Sequence, residues 1–135
     1  MFAIKAEIQD PKAKSFRFDH QKTMYGGKQI AVGDQIFLFA SENEGGKGLV
    51  VAGVVTSAAA APRRPDVERQ TPRVSIVVER QATAKQRLGR VELKPFIDWN
   101  DGRAETELNF KFYRQATNKI VGISEEAAKF LNEFF

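Results

Sequence analysis

The chain contains no cysteine, a single histidine, His20, and a single tryptophan, Trp99, among 135 residues. Disulfides and thiolate chemistry are therefore excluded, and zinc fingers or His-based triads and metal sites are short of ligands. Long apolar runs are also missing: the longest, Leu49 to Val55, is far below the roughly 20 residues of a membrane span. Lys5, Glu7 and Asp10 interrupt the N-terminus where a signal peptide would carry its apolar region. These absences lead to the expectation of a cytoplasmic protein, and no motif calls for a cofactor or metal. What is present is a core. Hydrophobic residues make up 42 % and there are eleven phenylalanines, enough to fill one interior in a chain of this size, so residues 1–135 are expected to form one domain.

Charge is uneven along the chain. Residues 63–90 carry eight basic side chains against three acidic, whereas 91–135 carry six against eight, within an overall net charge of +4. Seven of those eight are arginines, which suit bidentate phosphate contacts and stacking on bases. Arg63, Arg64, Arg69, Arg73, Arg87 and Arg90 are thus candidate phosphate ligands. A solvated arginine-rich surface without a partner accounts for the same composition. The stretch Ala58 to Pro72, with three prolines, reads as an exposed, semi-extended loop.

Period-two alternation predicts a first strand at Phe2, Ile4, Ala6 and Ile8. Two apolar runs about Gly33-Asp34 (Gln29 to Ser41), a near-continuous one from Gly48 to Thr56, and alternating segments at Arg73 to Arg80 and Glu107 to Tyr113 add further strands. One helix is well signalled. Ser124 caps it, Glu125 and Glu126 suit the positive end of its dipole, and Ala127, Phe130, Leu131 and Phe134 form one stripe. Ala82 to Leu88 is a weaker helix candidate. Five or six mostly antiparallel strands and a terminal helix imply an α+β fold built on a strongly curved sheet or barrel.

Local motifs supply little chemistry. Gly45 to Gly48 lacks the spacing and following helix of a P-loop, and Asp98 to Gly102 lacks the acidic spacing of a calcium loop. His20 and Asp19 are strand neighbours that point to opposite faces, with no nucleophile tied to them. Tyr25 in a glycine-flanked loop, Phe39 beside Leu38, and Trp99 in a turn are each explicable as core. Together with the basic segment they fit an aromatic pocket with a positive rim, the arrangement that holds a base out of its stack.

The run Ile30-Ala31-Val32-Gly33-Asp34-Gln35-Ile36-Phe37-Leu38-Phe39-Ala40-Ser41, followed by Val50-Val51-Ala52-Gly53-Val54-Val55, resembles the signature of PUA-like domains. Among these the chain is most similar to the EVE family, because Phe112 to Ile120 and the capped helix occupy the place of that family's C-terminal strand and helix. It departs where HQKTMYGGK (His20 to Lys28) replaces a tryptophan-rich stretch and an Arg-Asn pair, and where Phe39-Ala40-Ser41 replaces Tyr-His-Ser. The resemblance, shared with YTH and ASCH domains, implies a PUA-like β-pseudobarrel whose pocket holds a modified or flipped base of DNA or RNA. By position, Phe39 and Ser41 would line it and Arg114, Asn118 and Lys119 would stand at its mouth or wall, with Tyr25 and Trp99 as stacking candidates. The expected function is non-catalytic binding of a modified base in nucleic acid. Two alternatives are an ASCH-like amidohydrolase using Lys22, Thr23 or Lys28, although the motif G-x-K-x-x-E-x-R is absent, and a protein-interaction domain.

Overall fold

The computed structural model describes residues 1–61, 73–113 and 118–135. Six strands, β1 (Phe2–Ala6), β2 (Ser15–Met24), β3 (Gln35–Ala40), β4 (Gly48–Ala60), β5 (Arg73–Thr83) and β6 (Lys119–Gly122), close into a barrel in the order β1-β3-β4-β5-β2-β6. The β1–β3 and β2–β6 pairs are parallel and the other four antiparallel. Closure removes the free edges that an open sheet of this size would expose.

Alternation along β1 and β3 divides the apolar residues between two cores. Ile4, Ala6, Ile36 and Leu38 point into the barrel, where they meet Phe16, Phe18, Val51, Val74, Ile76 and Val78. Ala3, Phe37 and Phe39 point outward, beneath a helical layer that supplies Leu93, Leu108, Phe112, Ala127, Ala128 and Leu131. This second core explains the unbroken apolar run of β3, a strand buried on both faces. The turn before it depends on Gly33, whose φ of 94° lies in the left-handed region and whose N–H donates to the Val55 carbonyl at 2.8 Å. Asp34 closes the same turn, its carboxylate accepting from the Ala31 N–H at 2.9 Å.

Helices α1 (Arg90–Leu93), α2 (Ala104–Tyr113) and α3 (Glu125–Asn132) form the outer layer. In α3 the Ser124 hydroxyl accepts from the Ala127 N–H at 3.1 Å, as the sequence predicts, and Ala127, Ala128 and Leu131 are buried. Glu107 to Tyr113, expected as a strand, is instead the body of α2. Its alternation of Leu108, Phe110 and Phe112 is overridden by a helical stripe in which Thr106, Leu108, Asn109 and Phe112 are buried. A Lys111–Glu107 ion pair at 3.1 Å adds i,i+4 support. Ala82 to Leu88 forms no helix: Ala82 and Thr83 finish β5, and Ala84 donates to the Val50 carbonyl at 2.9 Å. The unanticipated β2 alternates only at Phe16 and Phe18 before a register shift that includes His20, at φ 51°. No described helix is long and apolar enough to cross a membrane.

Candidate functional site

The parallel strands β1 and β3 run in one direction, so Lys5 and Ser41 emerge at the same end of the barrel, beside the C-terminus of α2. Lys5 lies in the outward phase with Ala3 and is paired in register with Phe39. It is only 3 % exposed. Its Nζ donates to the Phe112 carbonyl at 2.5 Å and stands 4.1 Å from the centre of the Tyr113 ring. Burial, then the neighbouring positive charge of Arg90, lowers the Lys5 pKa to about 8 against the opposing pull of Glu42.

Glu42 organises the rest of the cluster. Its Oε1 accepts from the Tyr113 hydroxyl at 2.9 Å and from the Arg90 backbone N–H at 2.8 Å. Among the described residues Oε2 has no hydrogen bond. Burial, followed by the Glu42 charge and hydrogen bond, pushes the Tyr113 phenol well above its ordinary pKa, so it stays protonated as a fixed donor. Gly89 makes room for the carboxylate, because a Cβ there would stand 2.9 Å from Oε1. The Arg90 guanidinium lies 5.8 Å from the Tyr113 ring and 3.5 Å from the Asn43 side-chain oxygen, with most of the residue in solvent. Arg87 is exposed nearby and paired with Glu92 at 3.6 Å. A buried ammonium, a carboxylate with an unused oxygen and two surface guanidiniums thus share one end of the barrel.

The residues named from sequence divide among several places. Phe39 has no exposed surface; it packs on Phe112 with ring centres 4.8 Å apart. Ser41 is buried at the start of the turn that carries Glu42, and its backbone N–H donates to the Ala6 carbonyl at 2.9 Å. Asn118, exposed with φ 63°, donates its N–H to the Lys5 carbonyl at 2.9 Å and so flanks the cluster. Lys119 is half-buried and turned to the Met24 sulfur at 3.3 Å.

Tyr25 and Trp99 do not join Phe39. Both pack edge-on against Phe110, at 6.4 and 5.2 Å. Phe110 and Phe112, two residues apart, project from α2 about 200° from one another. The single aromatic pocket expected from sequence is therefore divided by the helix that the alternation concealed. Nor do the arginines form one stripe. Arg73 starts β5, bonded to the His20 carbonyl at 3.1 Å, roughly 33 Å along the eleven-residue strand from the end that leads to Arg87 and Arg90. Arg63, Arg64, Arg69 and Arg114 lie outside the described residues. Lys22 and Lys28 are exposed and Thr23 is buried.

Sequence reading missed Lys5, Glu42 and Tyr113. Only Lys5 left a signal: it is a charged residue at an outward position of a strand whose other outward position, Ala3, is buried.

No family model and no curated protein matches this sequence. Solved structures do. The DUF55 domain of human thymocyte nuclear protein 1 superposes with a TM-score of 0.66 at 15 % identity, covering 98 % of this chain and 96 % of that one. The same human protein in complex with DNA containing 5-methylcytosine gives 0.67 at 16 % identity, over 98 % and 95 %. A protein from Pseudomonas putida gives 0.65 at 15 % identity, over 98 % and 97 %. The six-stranded mixed barrel with its C-terminal helix is the fold of these DUF55 domains, the EVE-type, PUA-like architecture that the Gly33-Asp34 motif resembles.

Proposed function

We propose that this protein is a non-catalytic nucleic-acid-binding module of one domain that holds a modified cytosine at the barrel end framed by Lys5, Glu42, Arg90 and Tyr113. The observation that carries the reading is the Glu42 carboxylate, fixed through one oxygen by Tyr113 and the Arg90 N–H while the other oxygen has no partner among the described residues. A carboxylate accepts from the exocyclic amine of cytosine, whereas thymine presents only acceptors at that edge. The human relative's complex with DNA containing 5-methylcytosine supports the choice of base. Ser41, Asn118 and Lys119 supply further polar groups around this end, and Phe39 supports it from beneath without touching the base. Arg87 and Arg90 grip phosphates, as does Arg114 at the mouth. Arg63, Arg64, Arg69 and Arg73 extend the contact to a longer strand.

The test is a titration with single-stranded oligonucleotides that differ at one position, carrying 5-methylcytosine, cytosine or thymine. The methylated strand is expected to bind best. Cytosine should follow by about fourfold, the worth of one buried methyl at ~0.8 kcal/mol, and thymine by tenfold or more. Glu42→Gln, whose amide can present either a donor or an acceptor, should relax the discrimination against thymine and leave the methyl preference. Equal binding of all three strands by the wild type, or binding of none, would overturn the proposal.

A further inference from the structure

On the opposite face of α2 lies a separate cleft of about 370 Å³, lined by Trp99, Gly102, Arg103, Thr106, Phe110 and Lys111 among others. Its aromatic floor is unusually open: Trp99 is 52 % exposed and Tyr25 42 %. The rings of both meet Phe110 edge-on, at interplanar angles of 68° and 66°, which leaves their faces available for a flat partner rather than for one another. Lys111 Nζ stands 4.7 Å from the Tyr25 ring centre, and the Arg103 guanidinium lies at the exposed rim, 5.9 Å from the Phe96 ring.

The acidic groups at this cleft are already engaged. Glu107 accepts from the Ser124 N–H at 2.9 Å and pairs with Lys111 at 3.1 Å. Asp101 accepts from the Arg103 N–H at 3.0 Å and from the Thr106 hydroxyl at 3.1 Å. A cationic guest, such as a methylated lysine, would face Arg103 and Lys111 without a spare carboxylate. We infer that this cleft is a second nucleic-acid subsite, in which one unstacked base lies against Trp99 with its phosphate at Arg103. The inference rests on the nucleic-acid reading above, but it concerns a different face of the molecule and a contact indifferent to base identity, because every base offers a π-face.

Trp99 is the only tryptophan of the chain, so its emission reports this cleft alone. The probe is a five-residue oligothymidylate, which the Glu42 site should reject. Its titration into the full chain should quench Trp99 saturably, and the quenching should persist in Glu42→Gln. With a fluorescein-labelled strand followed by anisotropy, Trp99→Ala should weaken binding by roughly 5- to 100-fold, the range of one lost stacking contact. Arg103→Ala, on an exposed side chain, should weaken it while lowering the slope of log K against log salt by about one. Thermal melts of each variant establish that the fold is retained. Anisotropy that rises without any change at Trp99, or unaltered in both variants, overturns the cleft and leaves the modified-base reading standing. A methylated strand that binds at Glu42 while oligothymidylate does not bind at all has the same meaning. Quenching by an acidic peptide but not by oligothymidylate would overturn it in favour of a protein partner.

Discussion

A lysine ammonium withdrawn from water loses hydration that a single carbonyl and one ring face replace only in part, and Lys5 carries that penalty in the folded state alone. Its pKa of about 8 when folded lies below the 10.5 of the free side chain. Between those values the unfolded chain binds more protons than the folded one, so the Lys5 contribution makes stability rise with pH from about 8 to 10.5, by at most about 3 kcal/mol. Tyr113 does not blur this window, because its phenol is pushed far upward and stays protonated throughout. Lys5→Met, which keeps the apolar stem and removes the charge, should flatten this rise and leave the protein at least as stable at pH 7. Denaturant melts at pH 7.5, 9 and 10.5 measure it. An unchanged slope would mean that the ammonium is not buried as described. The same substitution should weaken nucleic-acid binding, which separates a role in function from a role in folding.

Among the elements, α3 was readable because its information is local: a capping serine, two glutamates and a stripe of apolar residues stand in sequence order. The capping arrangement reaches further than that reading, since Glu107 on α2 accepts from both the Ser124 hydroxyl and its backbone N–H. Burial raises the Glu107 pKa, but the hydrogen bonds from Ser124 and Lys111 outweigh it and hold the carboxyl below the ordinary 4.5. Stability from this group is therefore present above pH 4.5 and is lost as pH falls through the folded value. Ser124→Ala should cost about 1 to 2 kcal/mol, and Glu107→Gln should flatten the acid side of the stability curve, both read from denaturant melts at pH 3.5 to 7. An acid limb unchanged by Glu107→Gln would contradict the tie between the helices. The α2 segment was misread for a physical reason. Leu108, Phe110 and Phe112 satisfy a period of two, and what makes the segment helical is the burial of Thr106 and Asn109, polar residues that carry no hydrophobic signal. Asn109 is held by its side-chain N–H to the Leu93 carbonyl at 2.8 Å, a tertiary contact invisible to local pattern.

For the molecule as a whole, the barrel was legible because β1, β3, β4 and β5 are written in apolar periodicity and in the turn at Gly33-Asp34. The candidate site was not, because its members come from distant parts of the chain. Lys5 meets the Phe112 carbonyl across 107 residues, and Tyr113 meets Glu42 across 71. Composition identified aromatic and basic residues correctly as types, but only the path of α2 decides that Trp99 and Tyr25 share one face and Tyr113 the other. Function therefore turns on location: nucleic acid must meet the end of the barrel at Glu42. The direct measurement is a backbone amide chemical-shift map of the labelled protein, titrated with a short strand carrying one 5-methylcytosine. The account predicts saturable shifts at Lys5, Glu42, Gly89, Arg90 and Asn118 that are absent or much reduced with thymine at the same position. Shifts confined to other surfaces, or identical for the two strands, would contradict it.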